Sequence, residues 1–336
     1  MEHSLPTERE LQQSIAGTAS LPGCTIKRFL ARGEYTFNYR ATDGSGEEVV
    51  VRLVTGSQMG LSIPEQALYE VHALELLVDS GRTPLPIAVE PEPADFPYPI
   101  IIMSYLPGRP LDYSRDLAGA AECVAEIHNL GVPDAHRLQG HPDPFESIEE
   151  EAGGLLEPYV NWKGANPATI KGLEALRELI REIASHSGDL FERADRGIVN
   201  YDLNTHNFVV DDGRVSLLDW EKARIGPTSQ DLAHFLLPTT TLWRDETATL
   251  LSPEQEDLFL DAYFSRRPEL GPPLYKEELR AMKALISLRA LSWCAWSLAM
   301  SASGERAIVN QETLDRGRTY LQPDFLKDLL TRLTAG

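Results

Sequence analysis

The chain has 336 residues, of which 51 are acidic and 31 basic, so its formal net charge is −20. Such an acidic chain lacks the basic footprint that sequence-independent nucleic-acid binding requires, which argues against that class of partner. Its three cysteines, Cys24, Cys123 and Cys294, are an odd number and lie far apart, which excludes a disulfide framework. Reduced thiols and a polar, acidic N-terminus predict a cytoplasmic protein, and the length favours two lobes or two domains.

The first hundred residues favour β-structure. TIKRFL, TFNYRAT and VVVRLVT are rich in β-branched and aromatic residues and predict strands, and DGSGEE predicts a hairpin between the last two. PEQALYEVHALELLVDSG has apolar residues at near-helical spacing and predicts a helix that stops at Gly81. Two more strands are predicted in PLPIAVE and YPIIIMSYL. The stretch LPGRPL that follows indicates a boundary between lobes.

The rest of the chain favours helices, with one embedded hairpin in which FVV and VSLLDW flank DDGR. The apolar stretch 284–302 approaches membrane-spanning length, but Arg289 interrupts it, so we predict a buried helix and no membrane partner. A β-rich part followed by a larger helical part predicts an α+β fold. The helices are predicted at 116–131, 166–188, 229–237, 253–265, 275–302 and 324–333.

Three polar residues around this hairpin suit phosphate chemistry. Asp202 and Asn207 have the spacing D-x-x-x-x-N, and Asp219 ends the second strand. The hairpin brings Asn207 and Asp219 to one end, where an amide oxygen and a carboxylate suit Mg²⁺. Asp202 precedes the hairpin in a loop, where a carboxylate can orient a hydroxyl and accept its proton. This division of labour is typical of phosphoryl transfer.

The same stretch resembles the catalytic core of the aminoglycoside phosphotransferase family, whose loop reads H-G-D-L-x-x-x-N. The matching elements are Asp202 to Asn207, the DWE motif that starts at Asp219, a Gly-Pro pair and the triplet DLA that starts at Asp231. The resemblance implies a bilobal protein-kinase-like fold, with an N-lobe at 1–106 that has one main helix and a mostly helical C-lobe at 107–336. It also implies transfer of the γ-phosphate of ATP or GTP to a hydroxyl of a small molecule, with Mg²⁺ as cofactor.

Residues of the predicted N-lobe are expected to bind the nucleotide. Arg52 stands mid-strand in VVVRLVT, where a lone cation is costly unless it is paired. The resemblance implies that Arg52 holds phosphates and that Glu70, on the helix, aligns it. Gly33 opens GEYTFNYRAT, at the place of the phosphate-covering loop, whose backbone amides can donate to phosphate oxygens. The implied hinge residues for the base, in IIIMSYLPG, are Met103, Ser104 and Leu106.

Asn200 departs from the family pattern, because a His usually stands there. An Asn keeps hydrogen-bonding groups but has no ring to pack, which bears on the rigidity of the loop. Asp231 is expected to cap or brace the loop. A catalytically silent nucleotide-binding pseudokinase is the alternative function. A protein kinase is disfavoured, because no activation segment ending in A-P-E follows Asp219.

The sequence leaves the acceptor open. An acidic run could bind an amine-bearing acceptor such as an aminoglycoside, and aromatic side chains could enclose a quaternary ammonium such as choline. A solvated acidic face and core tryptophans are the simpler interpretations. The preference for ATP or GTP and the choice between monomer and homodimer are also open. The candidate residues are Glu146, Glu149, Glu150 and Glu151, and Trp243, Trp293 and Trp296.

Overall fold

The computed structural model describes residues 5–140, 143–187, 189–270, 272–304 and 311–335. The strands in these residues are β1 (Cys24–Arg32), β2 (Thr36–Asp43), β3 (Glu48–Val54), β4 (Pro86–Glu90), β5 (Ile100–Ser104), β6 (Arg109–Pro110), β7 (Arg196–Val199), β8 (Phe208–Asp211), β9 (Arg214–Leu217) and β10 (Arg224–Pro227). The helices are α1 (Glu8–Gly17), α2 (Ile63–Leu77), α3 (Leu117–His128), α4 (Pro144–Asn161), α5 (Pro167–His186), α6 (Ser229–Leu236), α7 (Pro238–Thr241), α8 (Pro253–Arg266), α9 (Pro272–Ser303), α10 (Gln311–Tyr320) and α11 (Pro323–Ala335). These elements form two compact units.

The first unit contains the chain up to Pro110, together with Pro133–Gln139 and Asn207–Ala223. Its larger sheet has the strand order β1-β2-β3-β5-β4, and all neighbouring strands are antiparallel. The five strands and α2 lie where the sequence predicts them. The lobe boundary predicted at residues 106 and 107 falls shortly before Pro110, and as a division into lobes it stays a prediction.

Helix α1 belongs to the first unit and was not predicted. It begins with a capping box, in which the Thr7 hydroxyl accepts the Glu10 N–H and the Glu10 carboxylate accepts the Thr7 N–H. Leu11 and Ile15, one turn apart, are buried in the core of the large sheet. Because only these two apolar side chains reach the core from a polar helix, the apolar pattern in the sequence is too weak to predict it.

The predicted hairpin forms β8 and β9, which join β6 in a three-stranded antiparallel sheet of the first unit. Gly108, just before β6, has a φ of +137°. A Cβ atom there would lie 2.6 Å from Val209 Cγ1 and 2.6 Å from the carbonyl oxygen of Val210. Only glycine combines this backbone conformation with so close an approach.

The second unit comprises Leu111–Val132, Gly140–His206 and Arg224–Gly336, and most of it is helical. Helix α9 is central, since it packs against α4, α5, α6 and α10. Its part Tyr275–Ser303 is long and apolar enough to cross a membrane, but 67% of the tested window is buried within the protein. This burial confirms the predicted core helix. The length and apolar composition of one helix are weak evidence for a membrane span. Sheets in the first unit and helices in the second confirm the α+β prediction.

Several elements of the second unit were not predicted from the sequence, among them α4, β7 and β10. Helix α4 carries Pro158 in its interior, and its many glutamates obscure the apolar positions Ile148, Ala152 and Leu156 that are buried. Strands β7 and β10 have four residues each and form a two-stranded antiparallel sheet. Such short strands have too few residues for a period-two pattern to be recognised.

Candidate active site

Arg52 is the centre of a cluster of charges in the first unit. Its Nε lies 3.0 Å from Glu70 Oε2, and its Nη2 lies 2.7 Å from Asp219 Oδ1 and 3.2 Å from Glu221 Oε2. The contact between Arg52 Nε and Glu70 Oε2 is an ion pair whose geometry does not meet that of a hydrogen bond. The predicted partnership of Arg52 with Glu70 is thus present, and Glu221 is a partner that the sequence prediction did not assign.

Burial and charge act together on this cluster. Burial opposes the charged form of Arg52, but the carboxylates of Asp219, Glu70 and Glu221 prevail and raise its pKa. Burial raises the pKa of Glu70 and of Glu221, and the charge of Asp219 raises both further. Three carboxylates therefore surround one guanidinium, which is a surplus of two negative charges when all of them are ionised.

The hairpin places Asn207 and Asp219 at the same end of β8 and β9. Phe208 pairs with Leu217 at that end, and the Leu218 N–H donates to the carbonyl of Asn207 at 2.6 Å. Asp219 has a φ of +57°, which an Asp tolerates better than most side chains. Its side chain is 27% exposed, so the carboxylate can be reached from solvent. The backbone register thus brings Asn207 and Asp219 to the same end of the hairpin, and their role as metal ligands stays a prediction.

The segment after Asp219 is held by α2. Gln66 Nε2 donates to the carbonyl of Glu221 at 2.8 Å, and the Tyr69 hydroxyl donates to that of Ala223 at 2.5 Å. Trp220 is fully buried and donates from Nε1 to the carbonyl of Leu217 at 3.1 Å. The backbone that follows Asp219 is therefore held by α2 and by the buried Trp220.

These residues fit Mg²⁺. The negative surplus around Arg52 favours a divalent cation, and an amide oxygen with a carboxylate is a donor set that Mg²⁺ accepts. Among the described residues, no group of three or more His, Cys, Asp or Glu is arranged to hold a metal ion. A site with Asn207 and Asp219 alone would leave the other positions to water and phosphate oxygens, as Mg²⁺ prefers.

Gly33 forms a tight turn between β1 and β2. Its N–H donates to the carbonyl of Thr36 at 2.9 Å, and a Cβ at this position would lie 2.6 Å from Thr36 Oγ1. The amide of Gly33 is therefore engaged within the turn, and the contribution of Gly33 to a phosphate-covering loop would be its shape.

The expected hinge residues lie at the end of β5. Met103 is buried, and the Ser104 N–H donates to the carbonyl of Leu85 at 2.9 Å. Leu106 lies beyond the strand, is half-buried and has no hydrogen bond with any described residue. Of the hinge residues after Met103, Leu106 is thus the better candidate for backbone hydrogen bonds to a purine base.

The predicted catalytic loop lies in the second unit, between β7 and a short 3-10 turn at Thr205–Asn207. Both oxygens of the buried Asp231 accept backbone N–H groups, from Asn200 at 2.8 Å and from Tyr201 at 3.2 Å. Asp231 thus braces the loop, as predicted. Asn200 Oδ1 accepts the N–H of Asp202 at 3.0 Å, so the amide that replaces the usual His caps the loop from within.

Asp231 is itself supported from behind. His128 is fully buried, and its Nε2 lies 3.3 Å from Asp231 Oδ2 while its Nδ1 lies 2.8 Å from the Tyr263 hydroxyl. On the solvent side, Asp202 is half-buried, and its Oδ1 accepts from Asn204 Nδ2 at 3.1 Å. The carboxylate predicted to act as base is therefore held in an ordered, hydrogen-bonded loop.

Tyr201 is a residue that the sequence interpretation overlooked, although the family pattern has Gly at this position. Its φ of +73° is unusual for an aromatic residue. The Cζ atoms of Arg224 and Arg289 lie 4.7 Å and 4.1 Å from its ring centroid. Glu151 links the two arginines, at 3.1 Å from Arg289 Nε and 3.8 Å from Arg224 Nη1. The mismatch between Tyr201 and the family's Gly was the available signal.

The acceptor candidates behave differently from one another. Glu149 and Glu151 are engaged by arginines, whereas Glu146 and Glu150 are exposed on α4. The rings of Trp243 and Trp293 pack edge-on at 6.1 Å. Trp243 also contacts Tyr320, at 6.0 Å. Neither set forms, by these contacts alone, a recognisable cage for a cation.

The chain can be compared with proteins of known structure. A choline kinase from Streptococcus pneumoniae is 20% identical with a TM-score of 0.61, and the match covers 96% of this chain and 99% of that chain. A choline/ethanolamine kinase family protein from Mesorhizobium loti is 16% identical with a TM-score of 0.63, covering 98% and 99%. A spectinomycin phosphotransferase, in complex with ADP and spectinomycin, is 13% identical with a TM-score of 0.63, covering 98% and 99%. At these identities the likeness shows the protein-kinase-like fold alone.

None of the curated proteins matches this chain. The phosphotransferase enzyme family matches residues 28–284, which is more than half of the chain and includes the residues predicted for catalysis, nucleotide binding and metal binding. The resemblance expected from the sequence is thereby confirmed, and the chain belongs to the phosphotransferase enzyme family.

Proposed function

We propose that the protein transfers the γ-phosphate of ATP or GTP to a hydroxyl group of a small-molecule acceptor. The observation that carries this proposal is the ordered catalytic loop, in which Asp231 accepts the backbone N–H groups of Asn200 and Tyr201 and the Asn200 side chain accepts that of Asp202. Family membership supports it, since the match contains Asp202, Asn207 and Asp219 in the expected order. The alternative of a silent pseudokinase gains no support from these findings.

In the proposed reaction, Asp202 orients the acceptor hydroxyl and takes up its proton as the new O–P bond forms. The bond from the γ-phosphorus to its bridging oxygen breaks, and the nucleoside diphosphate leaves. Arg52 binds phosphate oxygens, and Glu70 keeps its guanidinium in place. Mg²⁺, when held by Asn207 and Asp219, neutralises charge on the phosphates.

The nucleotide base is assigned to the segment Met103 to Leu106, with Ser104 closing the strand end and Leu106 donating and accepting through its backbone. The proposal keeps the division that the family resemblance implies, with an N-lobe at 1–106 and a C-lobe at 107–336. We also propose a cytoplasmic monomer or homodimer that binds neither nucleic acid nor membranes.

The test is Mg²⁺-dependent phosphate transfer from ATP or GTP, to an acceptor or to water, measured as nucleoside diphosphate release. Asp202→Ala should lower kcat about 100- to 10,000-fold, because a general base contributes about that much. Its thermal stabilisation by Mg·ATP should match that of the wild type, because Asp202 is not assigned to the nucleotide. Asp257→Asn, an exposed change on α8, is the matched control. Unchanged transfer by Asp202→Ala would refute the proposed function.

A further inference from the structure

The second unit places two guanidinium groups beside the proposed base. Arg224 and Arg289 both stack on Tyr201, which directly precedes Asp202 in the chain. Their side chains are 12% and 17% exposed, so both are largely withdrawn from water. Charges in such a place interact more strongly with a bound group than surface charges do.

Two carboxylates lie within reach of Arg289. Glu151 contacts its guanidinium group and that of Arg224. Burial opposes the charged form of Arg289, but Glu151, Tyr201 and Asp202 together raise its pKa, which puts Asp202 within electrostatic reach. Arg289 is thus a charged group beside the proposed base, at a place where it can attract a negative partner.

Arg289 has hydrogen-bonding capacity left over. Its Nε donates to Glu151 Oε1 at 3.1 Å. In the part of the chain that the structure describes, its two terminal nitrogens have no hydrogen-bond acceptor. A guanidinium that keeps both terminal nitrogens for a ligand can bind a carboxylate with two parallel hydrogen bonds.

The backbone of Tyr201 adds an independent observation. A φ of +73° costs an aromatic residue about 1 to 2 kcal/mol, and glycine would avoid this cost. The Tyr ring instead provides the surface on which both guanidinium groups are stacked. Strain that persists at a proposed active site, and that positions charged groups, indicates a functional use.

We infer that the phosphate acceptor carries a carboxylate group and that Arg289 binds it while Asp202 engages the acceptor hydroxyl. This inference rests on the proposed function and specifies its substrate class as hydroxylated carboxylic acids. The inference replaces an amine-bearing acceptor, which the acidic run in α4 had indicated at the level of the sequence. In that run Glu149 and Glu151 are already neutralised by arginines.

The experiment compares acceptors that differ only in charge. Glycerate is paired with glycerol, gluconate with sorbitol and glucuronate with glucose, and choline and kanamycin represent cationic acceptors. Phosphate transfer from Mg·ATP is measured with the wild type and with Asp202→Ala, so that each acceptor reports first on the proposed function. The wild type should use at least one carboxylate with a higher kcat/KM than its neutral partner.

Variants then separate binding from a structural role. Arg289→Gln should raise the KM of the carboxylate about 10- to 100-fold, as expected for loss of charged hydrogen bonds, with little change in the KM of ATP. The KM of the carboxylate for Arg289→Lys should lie between those of the wild type and Arg289→Gln, because Lys keeps the positive charge and loses the two parallel donors of the guanidinium group. Arg280→Gln, on an exposed position of the same helix, is the control and should change neither value.

Glu151→Gln gives the sharpest distinction. If Glu151 and Arg289 only brace Tyr201, its removal should weaken activity as Arg289→Gln does. If Arg289 binds the acceptor, removal of the competing carboxylate should lower the KM of the carboxylate acceptor, about fivefold for a partly exposed charge. Opposite effects of Glu151→Gln and Arg289→Gln support the inference, and parallel effects overturn it.

The remaining outcomes are also decisive. Asp202-dependent transfer that favours a neutral or cationic acceptor overturns the inference and leaves the proposed function intact. If no acceptor is phosphorylated, the binding of the same compounds is measured as a shift of the melting temperature in the presence of Mg·ADP. Stabilisation by a carboxylate that is lost in Arg289→Gln supports the inference, and equal or absent shifts overturn it.

Discussion

Asp231 offers a direct test of how the catalytic loop is held. Its two oxygens accept the backbone N–H groups of Asn200 and Tyr201, and the side chain is buried. Asp231→Asn keeps the shape of the side chain but removes its charge. It also replaces one acceptor oxygen by an NH₂ group that faces a backbone donor.

The size of the effect follows from these two contacts. A hydrogen bond to a charged group contributes about 1.5 to 3 kcal/mol, and a buried donor without a partner adds its own cost. One oxygen remains in the Asn, so we expect the free energy of unfolding to fall by about 2 to 4 kcal/mol. That is less than the stability of an ordinary domain, so the variant should still fold.

Activity should fall with stability, because the same contacts position Asp202. Displacement of a catalytic group by about 1 Å can cost about 100-fold in rate, so we expect kcat to drop about 10- to 100-fold. The KM of ATP should change less than about twofold. Urea unfolding and nucleoside diphosphate release measure the two effects. Asp257→Asn, the same chemical change at an exposed site, should shift stability by less than about 0.5 kcal/mol.

An Asp231→Asn variant as stable as the wild type would refute this role of Asp231. The role would also be refuted if the variant lost stability but kept full kcat, because the loop would then not depend on Asp231 for its geometry.

Two further predictions concern stability. Burial raises the pKa of Glu278 to about 7, so the folded protein binds a proton that the unfolded chain releases, and its stability falls as pH rises from about 4.5 through about 7. Glu278→Gln should therefore be more stable than the wild type at pH 8, by at most about 3 kcal/mol, and nearly equal to it at pH 5. Urea unfolding at both values of pH measures this, and the same difference at both would contradict it. Gly108→Ala should destabilise by about 3 kcal/mol or more in thermal or urea unfolding, because its Cβ would meet Val209 and Val210 at a φ of +137°. Gly154→Ala in α4, where nothing lies within 4 Å, should be neutral or stabilising, and an equal loss in both variants would contradict the steric argument.

Much of the local structure could be predicted, because short-range signals specify it. The Asp-Gly turn and the alternating residues around it predict β8 and β9, and Asn166 with Pro167 predicts the start of α5. Helix α1 shows the limit of such signals. Its capping box is visible in the sequence, but the burial of Leu11 and Ile15 depends on a sheet that is formed later in the chain.

In the candidate site, too, some contacts could be predicted from the sequence and others could not. The pairing of Arg52 with Glu70 was expected, because a cation within an apolar strand requires a partner. The participation of Glu221 was not assigned, since an exposed Glu after a turn has the same sequence signature as one that contacts Arg52. Likewise, the apolar pattern of α9 shows that Arg289 interrupts a buried helix and does not show what it contacts.

The fold class, the family and the order of Asp202, Asn207 and Asp219 could be predicted before folding is considered, because residues close in the chain are constrained by turn and strand geometry. Contacts between distant groups become visible only in the folded protein. Asp231 reaches Asn200 across 31 residues, and Glu151 reaches Arg289 across 138. Such contacts depend on how helices pack, and packing is decided by the shape and volume of whole faces. The position of Arg289 next to the proposed base is therefore a property of the folded protein, and the inferred carboxylate acceptor rests on it.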